Sequence, residues 1–322
     1  MKRAVVASPK DAWGHPGEGF RILINRTDAL GDVIISLPVV ARILSRAPGT
    51  AIHVMVRDYT APALEHHPAL AGLHLRPPDA DLEAFLSELQ PKAVLNLSHR
   101  DGAVLVAAKR AGVPVRVGRA RGLGQILAAT HLLWKGRNGT GRHEAQNALD
   151  FLAPFGWSGG CPTPPRLFLT PEERAQGEAD LAAIPRPRLG LVHRGSGSGA
   201  YPSPACWTRI ADRVAGAGWH PVVIAPPETS DLPATSLRGL MARLSACDAV
   251  ISPSTGPAHL AAALGVPLLV LMGLRSNHGP DRWAPLGERV QILQYPGPEA
   301  DLRGGMDRLD PEHLLSHLER LR

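Results

Sequence analysis

Residues 20–36 read Phe-Arg-Ile-Leu-Ile-Asn-Arg-Thr-Asp-Ala-Leu-Gly-Asp-Val-Ile-Ile-Ser. The apolar run Phe20 to Ile24 has strand length and composition, and a second apolar run, Ile34 to Leu44, follows a short polar turn. The turn carries two carboxylates, Asp28 and Asp32, where a buried strand gives way to a helix. In open α/β sheets, ligands bind at such carboxyl-terminal strand ends. A carboxylate placed there serves as a general base if it reaches the proton it must remove. The same residues also admit a structural reading, in which Asp32 caps the helix and Gly31 makes the turn.

The rest of the chain repeats this alternation. Strands are expected over Arg21–Asn25, Ala51–Val56, Leu73–Leu75, Ala93–Leu97 and Val115–Val117, and helices over Val33–Arg46, Leu82–Leu89, Ala103–Ala111 and His143–Phe155. Pro38 is expected to kink or tighten the first helix. The pattern breaks between Pro154 and Pro187, where Gly and Pro are dense around a short charged helix starting at Pro171, as in an interdomain connection. It then restarts, with strands over Leu189–His193, His220–Ala225, Ala249–Ser252, Leu268–Met272 and Val290–Leu293. The matching helices are Pro204–Ala217, Ser236–Ala246, Pro257–Leu264 and Pro311–Leu321. Strands alternating with helices argue for parallel sheets covered on both faces. The expected organisation is a loose leader (1–19), an N-terminal domain (20–160), a connection (161–187) and a C-terminal domain (188–322). The C-terminal helix is able to pack back on the N-terminal domain. Two such domains leave a ligand cleft between them.

Composition narrows the function. The chain has 322 residues, 44% of them hydrophobic, which suits two packed domains. A net charge of +6 favours an acidic ligand or surface, while only 4% aromatic residues argue against a single-stranded nucleic-acid platform. Three scattered cysteines form neither a disulfide framework nor a zinc pattern, and the pair His66-His67 has no spaced partners for a metal. Asp79 and Asp81 stand just before a helical pattern and read as caps. No run reaches membrane-spanning length and no signal-peptide core is visible, so the expected location is the cytoplasm.

Two motifs in the second half suit phosphate. In Ser252-Pro253-Ser254-Thr255-Gly256-Pro257-Ala258-His259, a strand ends and a helix begins. Ser254 or Thr255 can cap that helix, Pro257 suits its first turn, and its N–H groups and dipole would hold a phosphate or diphosphate. His259, among alanines, reads on spacing alone as a core histidine. Arg194-Gly195-Ser196-Gly197-Ser198-Gly199 follows another strand and can cradle phosphate through its backbone.

Together these residues resemble glycosyltransferase family 9, the heptosyltransferase-like enzymes of lipopolysaccharide core synthesis. The early motif is Arg26-x-Asp28-x-x-Gly31-Asp32-Val33 with Leu37-Pro38, and the late one runs from Ser254 to Ala263. Asn96-Leu97, Arg116-Val117-Gly118, Gly265-Val266-Pro267, Gly273 and the Trp283/Pro285 region also fit. The resemblance implies a GT-B architecture, two Rossmann-like doubly wound domains facing across a cleft, acceptor in the first and nucleotide-sugar in the second. It implies inverting transfer without a metal or other cofactor, with Asp32 as the base that deprotonates the acceptor hydroxyl. The donor-binding set it implies is Arg194, Gly195, Ser196, Glu228, Ser254, Thr255, Gly256, Pro257 and His259. Asp28 organises the early loop and falls on the acceptor side. Arg119, Arg121 and Arg137, in the basic stretch from Arg116 to His143, which its glycines make read as largely mobile loop, would meet a phosphorylated or acidic glycan or lipid-linked acceptor. For any one of these arginines, a solvated basic surface is the alternative. Peripheral contact with the inner face of the cytoplasmic membrane would follow from such an acceptor.

The chain departs from the family pattern in four places. Ser254 stands where the family has Asp, Ala205 and Cys206 precede Trp207 where a Lys is usual, and Arg194 replaces a common Pro. The segment Glu228 to Ser236 leaves no room for a helix that family members carry. The alternatives are therefore a non-catalytic relative that binds a nucleotide-sugar or glycan, or a GT-B nucleotide-sugar epimerase.

Overall fold

The computed structural model describes residues 16–134, 141–194, 201–225, 230, 232–273, 279–295 and 306–321. The chain forms two compact units. The first comprises Met1–Ala61, His67–Arg137 and Ala145–Thr163, and the second Pro62–His66, Asn138–Glu144 and Pro164–Arg322.

The first unit holds the strands β1 (Arg21–Asn25), β2 (Ala51–Val56), β3 (Gly72–Leu75), β4 (Ala93–Asn96), β5 (Val115–Arg119) and β6 (His131–Leu133). All pair in parallel, in the order β3-β2-β1-β4-β5-β6, the Rossmann order. Ile22, Leu23 and Ile24 are buried in succession, because a central parallel strand is covered on both faces. Each such side chain contributes roughly 1.5–3 kcal/mol of transfer free energy. The helices are α1 (Leu30–Ser36), α2 (Pro38–Arg46), α3 (Leu82–Leu89), α4 (Ala103–Arg110), α5 (Leu123–Ala128) and α6 (Glu144–Leu149). α3 and α4 cover one face of the sheet, where Leu82, Leu86, Val104 and Leu105 meet Leu23, Met55 and Val94.

Two expectations need correction here. Pro38 does not merely kink a helix: Leu37 is at once the C-cap of α1 and the N-cap of α2, and Pro38 opens the new helix, where its missing N–H costs nothing. The basic stretch from Arg116 is not a loop, since β5, α5 and β6 occupy it up to Leu133. Gly118 lies within β5, where a methyl group would stand 2.3 Å from Leu105 Cδ1, so this glycine serves close packing and not a turn.

The second unit holds α7 (Pro171–Asp180), β7 (Arg188–Val192), α8 (Pro204–Gly216), β8 (His220–Ala225), α9 (Leu237–Ser245) and β9 (Ala249–Pro253). It continues with α10 (Gly256–Ala263), β10 (Leu268–Gly273), α11 (Pro280–Trp283), β11 (Val290–Tyr295) and α12 (Pro311–Glu319). Its parallel sheet runs β11-β10-β9-β7-β8, the flavodoxin-like order counted from its own first strand. α12 contributes Leu314, Leu315 and Leu318 to the same core as Trp207, Ile210 and Val214 of α8. It is thus part of the core of the second unit. The connecting helix α7 also packs within this unit, along α9, and starts with a capping box between Thr170 and Glu173.

Candidate functional site

Each strand order has one point where the chain, having built outward on one side, crosses to the other, and ligands bind at the strand ends there. In the first unit that point lies between β1 and β4. The segment after β1 carries Asp28 and Asp32. Arg26 is buried and organises it: Nη1 meets Asp28 Oδ2 at 2.8 Å, Nη2 meets Asp32 Oδ1 at 2.7 Å, and Nε donates to the Asp32 carbonyl at 3.1 Å. Nη1 also donates to the Leu97 carbonyl at 2.7 Å, tying this segment to the loop after β4. Asp32 lies in the first turn of α1, where the helix dipole favours its negative charge. The N-cap is Ala29, and no side chain caps this helix, so the structural reading of Asp32 as a cap does not hold.

A second carboxylate completes the floor. Asp101 accepts from Thr27 Oγ1 at 3.0 Å, from Asn25 Nδ2 at 3.3 Å, and from Arg76 Nε at 3.0 Å and Nη2 at 2.7 Å. Asn25 Nδ2 reaches Asn96 Oδ1 at 2.8 Å, and Asn96 Nδ2 donates to the Asp101 carbonyl at 2.9 Å. Burial alone would raise the Asp101 carboxyl, but the hydrogen bonds from Arg76, Thr27 and Asn25 and the Arg76 charge outweigh it and hold the group below its ordinary value. Tyr59 donates to the Asp28 carbonyl at 3.1 Å. Its hydroxyl is shifted up, first by burial and further by Asp32 and Asp28, against the pull of Arg57.

Above this floor is a cavity of about 350 Å³ lined by Thr27, Arg57, Arg76, Asp79, Ser98, Arg100, Asp101 and Ala103. Among the described residues Arg57 and Arg100 have no carboxylate partner, whereas Arg76 is paired with Asp101 and Asp79. Sequence reading missed these arginines. The signal was present: Arg26, Arg57 and Arg76 each directly follow a strand, Arg119 ends one, and Arg100 is four residues past one. In a parallel sheet all these ends share one edge.

The arginines singled out from sequence are placed otherwise. Arg119 lies over the Phe151 ring, 5.3 Å from its centroid, Arg121 is exposed after β5, and Arg137 lies outside the described residues. Arg116 turns back into the fold, Nε donating to the Ala128 carbonyl at 2.6 Å. His143 belongs to the second unit and contacts the Ala284 carbonyl through Nε2 at 2.9 Å.

In the second unit the crossover lies between β7 and β9, which ends in His193-Arg194 and Ser254-Thr255. Thr255 is the N-cap of α10 by position, but its hydroxyl donates to the Pro253 carbonyl at 3.3 Å instead of capping the helix. Gly256 and Pro257 open the helix, and the Ala258 N–H goes to the Thr255 carbonyl at 3.1 Å. The donors facing outward are therefore fewer than the helix start suggests, because Pro257 has none. The Ser254 N–H is committed to the Leu271 carbonyl at 3.2 Å. His259 is buried and its pKa is pushed down to about 4, first by burial and then by His143, which keeps it neutral. Arg194 is exposed at the mouth of an apolar cavity of about 590 Å³ lined by Leu191, His193, Tyr201, Pro202, Trp207 and Val223. The Trp207 Nε1–H donates to the His193 carbonyl at 3.0 Å and the two rings stack. α8 starts at Pro204, so Ala205 and Cys206, which precede Trp207, sit in its first turn. Gly195, Ser196 and Glu228 lie outside the described residues.

The stretch 228–304 matches the sequence model of glycosyltransferase family 9 (heptosyltransferase). None of the curated proteins matches the sequence. Among solved structures, the glycosyl transferase family 9 from Veillonella parvula DSM 2008 is similar, with a TM-score of 0.78 at 18% identity, over 94% of this chain and 97% of that one. The E. coli ADP-heptose lps heptosyltransferase II gives 0.75 at 17% identity, over 94% and 98%. E. coli heptosyltransferase WaaC with ADP gives 0.69 at 19% identity, over 94% and 100%. Residues 228–304 are thus similar in sequence to glycosyltransferase family 9, and the chain shares with these solved structures the GT-B fold, built from two Rossmann-like domains.

Proposed function

We propose that the protein transfers a sugar from a nucleotide-diphosphate donor to an acidic surface-glycan or lipopolysaccharide-like acceptor, inverting the anomeric centre and using no metal. The observation that carries this reading is Asp32, placed at the β1/β4 crossover and held by Arg26. Asp32 takes the proton from the acceptor hydroxyl as its oxygen attacks the anomeric carbon, and the nucleoside diphosphate leaves. Arg26 fixes the carboxylate's direction. The acceptor's acidic groups suit Arg57 and Arg100, whose guanidiniums fit carboxylate or phosphate in pairs of hydrogen bonds. The donor diphosphate suits the start of α10 with Arg194, and its leaving charge is met by positive charge and backbone dipoles. A heptose is the donor sugar favoured by the similar structures, one of which is E. coli heptosyltransferase WaaC with ADP-2-deoxy-2-fluoro heptose.

Ser254 and the lack of a Lys just before Trp207 favour a second reading, a binding protein that holds the nucleotide-sugar without turning it over. The test is a panel of nucleoside diphosphates and their sugars, scored first by thermal shift and then by release of nucleoside diphosphate with a phosphorylated glycan acceptor. A ligand that binds only the folded state raises the melting temperature in a concentration-dependent way. Binding with acceptor-dependent release supports transfer. Binding without release supports the second reading, release without acceptor supports neither, and no binding by any nucleotide overturns both.

A further inference from the structure

The segment from Gly102 to His143 contains 42 residues with eight Lys or Arg and not one Asp or Glu. Most large apolar side chains of the fold are covered, yet Leu123, Leu127 and Trp134, all from this segment, are 72%, 63% and 73% exposed. Leu123 and Leu127 are one helical turn apart on α5 and so share a face. The β5/β6 pairing brings Trp134 to the same edge of the sheet as the turn that leads into α5. Leu133 pairs with Arg119, and the Ala120 N–H donates to the Leu133 carbonyl, which sets the following Trp134 beside Arg121 at the start of the α5 segment. Lys109 Nζ donates to the Leu127 carbonyl at 3.0 Å, and Arg110 and Arg121 are exposed nearby in the chain. β6 is an edge strand, so these exposed apolar and basic side chains belong to the rim end of the sheet.

We infer that Leu123, Leu127 and Trp134, together with the basic Lys109, Arg110 and Arg121, dock the protein onto an anionic lipid bilayer. Leucines gain only where they enter an apolar phase, which a nucleic acid does not offer. Trp suits the boundary between headgroups and acyl chains, and basic side chains gain from a negatively charged leaflet. A second copy packed on the same face would bring one acid-free basic segment against another, at a cost in like-charge repulsion. Three side chains on a short element give a reversible contact and not an anchor. The docking surface lies in the unit that carries Asp32, and it suits a lipid-linked acceptor. Its test uses neither donor nor acceptor, so it stands or falls apart from the transfer reaction.

The experiment is co-sedimentation of the full chain with vesicles of phosphatidylcholine alone or with phosphatidylglycerol added. The wild type should pellet with the phosphatidylglycerol vesicles, less so as salt is raised, and not with phosphatidylcholine alone. Combined Leu123→Ser, Leu127→Ser and Trp134→Ser should weaken that binding roughly tenfold or more with an unchanged melting curve, because exposed side chains carry little of the fold. Should that variant misfold, Lys109→Glu with Arg110→Glu on the exposed rim should weaken binding and flatten its salt dependence. Failure of the wild type to bind phosphatidylglycerol vesicles at low salt, or wild-type binding by the folded variants, overturns the inference. So does self-association of the vesicle-free protein that the triple serine variant abolishes, which would make a second copy the occupant.

Discussion

Arg26 grips Asp32 twice, its Nη2 on the carboxylate at 2.7 Å and its Nε on the same residue's carbonyl at 3.1 Å. The first contact aims the carboxylate and the second fixes the turn of α1 that carries it. Asp32→Asn keeps size and can still meet Arg26 through its amide oxygen, but it cannot take a proton. Acceptor-dependent release of nucleoside diphosphate should fall roughly 10²–10⁴-fold, with the fold intact. Wild-type turnover in this variant would remove Asp32 from the chemistry.

Arg26 itself should be a stability determinant. Its removal leaves Asp28 and Asp32 facing each other without the guanidinium between them, and the Leu97 carbonyl loses its donor. Breaking a buried pair by deleting one partner costs on the order of 3–5 kcal/mol, so Arg26→Ala should unfold at markedly lower urea. Arg26→Lys should recover only part of this, because an ammonium cannot reproduce the fork. Equal urea midpoints for Lys and Ala would show that the fork geometry is immaterial.

Gly177 offers a purely steric test. A methyl group at this position of α7 would lie 2.2 Å from the Ala242 carbonyl oxygen of α9, which is backbone and cannot rotate away. Gly177→Ala should destabilise by about 1–3 kcal/mol or more, despite the better helix propensity of alanine. An unchanged or higher melting temperature would contradict this close approach.

Acid should weaken the fold well before the carboxylates titrate. His53, His67, His74, His131, His143, His259 and His317 are all shifted down, first by burial. A depressed histidine leaves the folded state neutral at a pH where the unfolded chain already binds a proton. Stability is therefore fully present above the ordinary value of 6.5 and drains away as pH falls towards the folded value, about 4 for His259. That single group accounts for roughly 3 kcal/mol at most. The melting temperature should drop steadily from neutral pH into the mildly acidic range, less steeply in His259→Gln. A flat profile over that interval would show these rings to be protonated as readily in the fold as in solution.

The strands were legible because a parallel core demands continuous apolar runs, and Arg21–Asn25, Ala51–Val56 and His220–Ala225 fall where periodicity sets them. Asp32 was legible from its place between two such runs. The region after Arg116 was not, because glycine has two meanings. Gly122 turns the chain at φ +72, whereas Gly118 makes room for Leu105, and sequence does not separate the two. Arg57, Arg76 and Arg100 were also missed as a group. They are far apart in the chain and converge only once the strands preceding them are parallel neighbours. Asp101 is hidden for the same reason, since its partners come from β1, β3 and β4 together.

The helix read from sequence as a connection has a practical consequence for anyone cutting the chain. Asp180 of α7 meets Arg243 Nε at 2.6 Å, and the Arg243 side chain is only 7% exposed. A fragment beginning at Arg188, the natural choice from the strand pattern, would strand that guanidinium in the interior without its counter-charge and strip the covering from α9. An expression boundary ahead of Thr170, which keeps the capping box and the Asp180 contact, should yield the more soluble and more protease-resistant piece. Equal protease resistance of the two fragments would mean that α7 is only a tether.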